Sequence, residues 1–132
     1  MPIVTSYATL GEEGLEMSLT QTKAKAIFVD PNLIKNLSNP LQKATDIKFV
    51  VYNSNQDVKQ AEIEKFKVEH EHITILSYHE LLRLGQENPV KPVQPQREDL
   101  CCIMYTSGTT GARTYIFRFY VAQSKGSSSG NS

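Results

Sequence analysis

Four short apolar runs with helix signals between them constrain this chain more than any other feature. They are residues 24–29 (AKAIFV), 47–52 (IKFVVY), 73–76 (ITIL) and 100–105 (LCCIMY). Each is too short for a buried helix and reads as a buried strand. Thr9 and Glu12 have the spacing of a capping box and predict a helix to about Thr22, with Leu10, Leu15 and Leu19 on one side. Asp30 can cap a second helix with Pro31 at its first position. Leu33, Ile34, Leu37 and Leu41 supply its apolar side, and Asn39-Pro40 must kink or break it. Residues 57–69 predict a helix with a charged, solvated outer face. Ser77 and Glu80 form a second capping box, opening a short helix that ends near Leu84-Gly85. Pro89, Pro92 and Pro95 make residues 88–96 an extended loop. Strands alternating with helices predict an α/β fold with a parallel sheet and helices on its faces. The expected strands lie near 25–30, 47–52, 73–76 and 100–106, in one partial sheet.

Composition removes several classes of function. The chain has 132 residues, the size of one domain. Its 14 Lys and Arg balance 14 Asp and Glu, giving a formal net charge of +0. That leaves no basic field to draw it onto nucleic acid. It has no run of about 18 apolar residues, so no transmembrane segment is expected. Its first residues lack the basic start and apolar stretch of a secretory signal. Cys101 and Cys102 are adjacent, which is no disulfide framework. They read as reduced thiols of an intracellular protein and as small core residues on a buried strand. Residues 124–132 (SKGSSSGNS) are linker-like, and 122–132 hold too little apolar surface to order. Residues 115–121 (YIFRFYV) have strong β propensity and read as an exposed, aggregation-prone segment.

The residues that carry chemistry follow the fourth apolar run. Residues 105–111 read YTSGTTG. In parallel sheets, ligands bind beyond the carboxyl ends of strands. Gly108 and Gly111 permit close backbone approach. Successive N–H groups in such a turn can form an anion nest, and the hydroxyls of Thr106, Ser107, Thr109 and Thr110 add donors for phosphate oxygens. A plain polar turn explains the same composition equally well. A Walker-type loop does not fit, because the glycines are three apart and no lysine follows.

CIMYTSGTTG resembles the phosphate-binding motif of the adenylate-forming, AMP-binding superfamily of acyl- and aryl-CoA synthetases. The resemblance runs back through PIVTSYATLGEEGLEMSL, TKAKAIFVDPNLI, IKFVVYNS, HITILSYHELLRLG, ENPVKPV and EDLCCIMYTSGTTG. This long match narrows it to long-chain fatty acid–CoA ligases of the fungal type. The fold so implied is an incomplete parallel-sheet subdomain of the adenylate-forming enzyme N-terminal domain, with a disordered tail. The implied chemistry has two steps: a fatty acid carboxylate attacks the α-phosphate of ATP with Mg2+, and coenzyme A then displaces AMP. The role the resemblance gives to Thr106, Ser107, Gly108, Thr109, Thr110 and Gly111 is to hold the β- and γ-phosphates. It assigns no catalytic residue and no metal ligand to this chain.

Beyond Ala112 the pattern departs from the family, which continues with Pro-Lys-Gly where this chain has Arg113-Thr114-Tyr115. The expected division is therefore residues 1–112 as a fragment of the AMP-binding domain and 113–132 as a non-homologous tail. The chain reads as a middle slice of a synthetase, and the tail from Arg113 as the translation of a retained intron, with a frameshift or ordinary divergence as the competing explanations. An enzyme fragment inactive alone is the first functional expectation. A short nucleotide-binding or regulatory module that associates with a full-length synthetase is the alternative. Family members work at endoplasmic reticulum, peroxisome or lipid-droplet membranes, yet the chain shows no anchor and ends in Gly-Asn-Ser, which is not a peroxisomal signal. A cytoplasmic location is expected. His70, His72 and His79, near Glu69, Glu71 and Glu80, lack metal-site spacing and read as solvated surface residues.

Overall fold

The structure, a computed structural model, describes residues 1–106 and Tyr115–Tyr120. The chain divides into two compact units. One is Ser6–Lys91, and the other joins Met1–Thr5 to the chain from Pro92 onward.

In the larger unit, strands β2 (Ala26–Val29), β3 (Phe49–Tyr52) and β4 (Thr74–Ser77) form a parallel sheet in that order. Ile27 lies opposite Val50, and Val50 opposite Ile75. Strand pleating turns Ile27, Val29, Val50, Tyr52 and Ile75 to one face. That face packs on α1 (Gly11–Thr22), α2 (Ser38–Lys43) and α3 (Gln60–Glu69) through Leu19, Leu41, Ile63 and Phe66. Burying each such side chain stabilises the fold by about 1.5–3 kcal/mol. The alternate residues point the other way; Phe28 and Phe49 there are exposed, whereas Val51 is buried. The run at 24–29 is thus half-buried: β2 is an edge strand with one solvated face. Helix α4 (Tyr78–Glu87) follows β4, and its Tyr78 ring meets Phe28 edge-on at 5.9 Å.

Of the local capping signals, the one at Ser77 holds and those at Thr9 and Asp30 do not. The Ser77 box forms as read: Ser77 Oγ accepts from the Glu80 N–H at 3.1 Å, and Glu80 Oε2 accepts from the Ser77 N–H at 2.7 Å. Helix α4 continues past Gly85 to Glu87. The Thr9 box does not form. Residues Ala8–Leu10 make a 3-10 turn, Gly11 takes a positive φ of 66° to leave it, and α1 starts there with no side-chain cap. Glu12 instead accepts from Asn39 at 2.8 Å. Pro31 opens a 3-10 helix, Pro31–Leu37, and Asp30 does not cap it; Asp30 Oδ1 accepts from Asn53 at 3.2 Å. The break near Asn39-Pro40 falls at Leu37/Ser38, where the 3-10 helix gives way to α2. Pro40 then sits in the first turn of α2, where its missing N–H costs no helical bond. Helix α3 carries the charged face foreseen for it, laced by Lys59–Glu62, Lys65–Glu69 and Lys67–Glu64 pairs.

The smaller unit overturns the single four-stranded sheet. Strand β5 (Leu100–Thr106) does not join β2, β3 and β4. It pairs in parallel with β1 (Ile3–Thr5) and antiparallel with β6 (Tyr115–Tyr120), in the order β1-β5-β6. The β-branched residues of β1 suit a strand, but three of them make no readable pattern. The segment at 115–120, read as exposed and aggregation-prone, is the pairing partner of β5, so this part of the tail carries order. The disorder expected of 122–132 lies outside the described residues.

The register between β5 and β6 shifts at Cys101: Leu100 opposes Tyr120, whereas Cys102 opposes Phe119. Cys101 is therefore the extra residue of a β-bulge, which breaks the alternation of side chains. This corrects the reading of the cysteines as core residues. Cys101 is exposed, Cys102 is half-buried, and both are free thiols.

Candidate functional site

The phosphate-loop reading begins at the carboxyl end of β5. Thr106 is its last residue and lies opposite Tyr115, the first residue of β6. Residues 107–114 run between these two paired positions. Ser107, Gly108, Thr109, Thr110 and Gly111 lie outside the described residues, so of the six loop residues the structure locates Thr106 alone, by its backbone. Two neighbours frame this end of the sheet. Tyr105 is 1% exposed, and burial pushes its phenol above the ordinary range, so it keeps its proton at neutral pH. Thr5, opposite Met104 at the same end of β1, has a buried hydroxyl with no hydrogen-bond partner.

The larger unit has a polar belt at the carboxyl ends of its own parallel strands, the region where such sheets place ligands. After β2, Asp30 accepts from Asn53, which follows β3. Ser54 Oγ lies 2.6 Å from His79 Nδ1 and accepts from the His79 N–H at 3.3 Å. Ser77 closes the belt with two bonds to the Glu80 carboxylate, from its N–H and its hydroxyl. Those bonds hold the Glu80 carboxyl below its ordinary range. Chemically, the belt ties the ends of β2, β3 and β4 and the start of α4 to one another. Sequence reasoning missed it because Ser54 and His79 are 25 residues apart.

The three histidines separate. His72 and His79 are exposed as expected, but His70 is 7% exposed, which corrects its reading as a surface residue. A signal was available: Ile63, Phe66 and His70 share one helical face by their spacing. Among the described residues there is no group of three or more His, Cys, Asp or Glu side chains that could hold a metal ion. Among them, too, no helix is long and apolar enough to cross a membrane.

Comparison with known proteins places this geometry. Residues 1–113 match the family described as AMP-binding enzyme. Long-chain-fatty-acid–CoA ligase 2 of Schizosaccharomyces pombe is 45% identical over 111 residues, covering 84% of this chain and 16% of that protein. Long-chain-fatty-acid–CoA ligase 1 of Saccharomyces cerevisiae is 41% identical over 125 residues, covering 84% of this chain and 18% of its own length. The chain thus spans less than a fifth of these relatives. In three dimensions it resembles the adenylation domain of a Mycobacterium chelonae carboxylate reductase, with a TM-score of 0.74 at 18% identity, over 87% of this chain and 19% of that one. The didomain of a Segniliparus rugosus carboxylic acid reductase, solved with AMP, gives 0.69 at 11% identity, over 83% of this chain and 16% of that one. These two likenesses speak for the fold, an α/β arrangement with parallel sheets. With a family match across most of its length, the chain belongs to the AMP-binding enzymes.

Proposed function

We propose that this chain is the segment of a long-chain fatty acid–CoA ligase that carries the ATP phosphate loop, and that alone it does not turn over substrate. The observation that carries this reading is the 45% identity to a long-chain-fatty-acid–CoA ligase over 111 residues, in a chain whose family match, residues 1–113, includes the Thr/Ser/Gly loop. The donors of that loop, hydroxyls and backbone N–H groups without a fixed charge, suit phosphate oxygens. Thr106, Ser107, Gly108, Thr109, Thr110 and Gly111 would hold the β- and γ-phosphates of ATP. Preorganised donors of this kind stabilise the charge of a departing pyrophosphate. Mg2+ would arrive with the nucleotide, neutralising phosphate charge, and coenzyme A would take the activated acyl group.

Adenylation also requires groups that position the fatty acid carboxylate and the adenine ring. The chain spans 16% of the Schizosaccharomyces pombe ligase, so on this reading most such groups have no counterpart in it. The family match over 1–113 supports a division into residues 1–112, family-like, and 113–132, a different segment. The test supplies purified chain with palmitate, Mg-ATP and coenzyme A and follows acyl-CoA by mass spectrometry. The expected result is none above the no-protein control, whereas steady formation of palmitoyl-CoA overturns the reading.

A further inference from the structure

His70 stands at the carboxyl end of α3, where its N–H donates to the Phe66 carbonyl at 3.1 Å. Its ring lies 4.5 Å from the ring of Phe66, a core residue, and 6.0 Å from that of His72. Its Nε2 is buried and has no hydrogen-bond partner. An unpaired buried nitrogen is costly when the ring is neutral and far more so when it is charged. Beside it opens a cleft of about 450 Å³, lined by Leu41, Gln42, Ala44 and Ile47 together with Glu69 and His72. The neighbours give a proton little compensation. Residues from α2 and from the turn before β3 bring no titratable group to this cleft. From α3 comes Glu69, which is exposed and lies 3.7 Å from Lys65. From the turn before β4 comes His72, whose charge opposes a second one. Burial first, and His72 next, hold His70 below the ordinary imidazole range, with Glu69 acting the other way.

We propose that His70 is a proton-operated latch: neutral, its ring stays packed in the wall of the cleft between α2 and the carboxyl end of α3; protonated, it leaves the interior and frees that end of α3. The direction follows from linkage. A free imidazole takes up its proton near pH 6.5, above the pH at which the buried ring does. Below about pH 6.5 the open form therefore binds more protons, and the closed form loses its advantage as pH falls toward the value of the buried ring. Above that pH the latch is fully closed. Opening would expose Leu41, Ile47 and Phe66 without disturbing the sheet.

Amide hydrogen exchange of the full chain tests this, corrected for its intrinsic pH dependence and followed from about pH 7.5 to about 5.5. Protection of the His70, Ile73 and Ile47 amides should fall about tenfold for each pH unit by which the buried ring titrates below a free one. Val50 and Ile75 amides should keep theirs. His70→Phe should abolish the acid response, and His72→Gln, by removing an opposing charge, should make the total fall in protection smaller and complete it at higher pH. If His70→Phe does not fold, the ring proton of His70 in the natural chain decides. A midpoint below about 6.5 that coincides with the loss of protection supports the latch. A midpoint at or above that value overturns it, as does protection lost equally at Val50 and Ile75.

Discussion

At the scale of single residues, environment separates groups that the sequence makes look alike. Cys101 and Cys102 are neighbours of one type, yet the bulge exposes the first and leaves the second half-buried. A thiol must be reached to react, so their rates should differ. With Ellman's reagent on the folded chain, one equivalent should react fast and the other at least about tenfold more slowly, in line with the role of access in thiol exchange. Mass spectrometry should place the fast label on Cys101. Equal rates, or a fast label on Cys102, would remove the bulge from the account. The histidines differ in the same way: His70 is enclosed by Phe66 and the cleft, while His79 pairs with Ser54 at the surface. Residue type announces neither outcome, because burial is decided by what the rest of the chain brings alongside.

At the scale of elements, local signals were legible and long-range ones were not. The Ser77 box could be read because all its atoms lie within four residues. The same spacing at Thr9 misled because Gly11, two residues on, bends the backbone out of a 3-10 turn before α1 begins. The pairing of Ile3–Thr5 with β5 joins the first residues of the chain to Cys102, Ile103 and Met104, and no local pattern encodes such a partner. Helix α4 gives these rules a test. None of its residues is fully buried, so its order leans on the cap more than on packing. Ser77→Ala should cost about 0.5–2 kcal/mol, read as lost amide protection at residues 79–84. Acid should mimic it. Glu80 titrates below its ordinary range in the fold, so its contribution is complete above about pH 4.3 and is lost as pH falls through the lower folded value. Protection in α4 that is unchanged by both treatments would show that packing, not the cap, holds it.

At the scale of the whole molecule, the loop that carries the proposed chemistry and the main apolar core belong to different units. From composition and position after a strand, the hydroxyls and glycines of 106–111 were legible only as either a polar turn or an anion nest, and it is the family resemblance that favours the nest. The strand end from which they start is set by β5 pairing with β1 and β6, which the sequence did not disclose. Every member of the core cluster, from Leu19 to Ile75, falls within Ser6–Lys91. Between α4 and β5 the chain runs through residues 88–99, all exposed, with Pro89, Pro92 and Pro95 unable to donate to any ladder. Proteases need an exposed strand of chain that can bend into their cleft, and loops of this kind are where nicking concentrates. Of all cuts within the described residues, the first by subtilisin should therefore fall in 88–97. Trypsin should cut after Arg97 but spare Lys91, whose peptide bond runs into Pro92. The fragment ending in this loop keeps all the apolar contacts of the core, so the amides of Val50, Ile63 and Ile75 should stay protected after cleavage. Mass spectrometry of the timed digest, followed by hydrogen exchange on the nicked protein, checks both parts. A first cut inside β3 or α3, or collapse of protection at Val50 on nicking, would mean that the core is not self-contained.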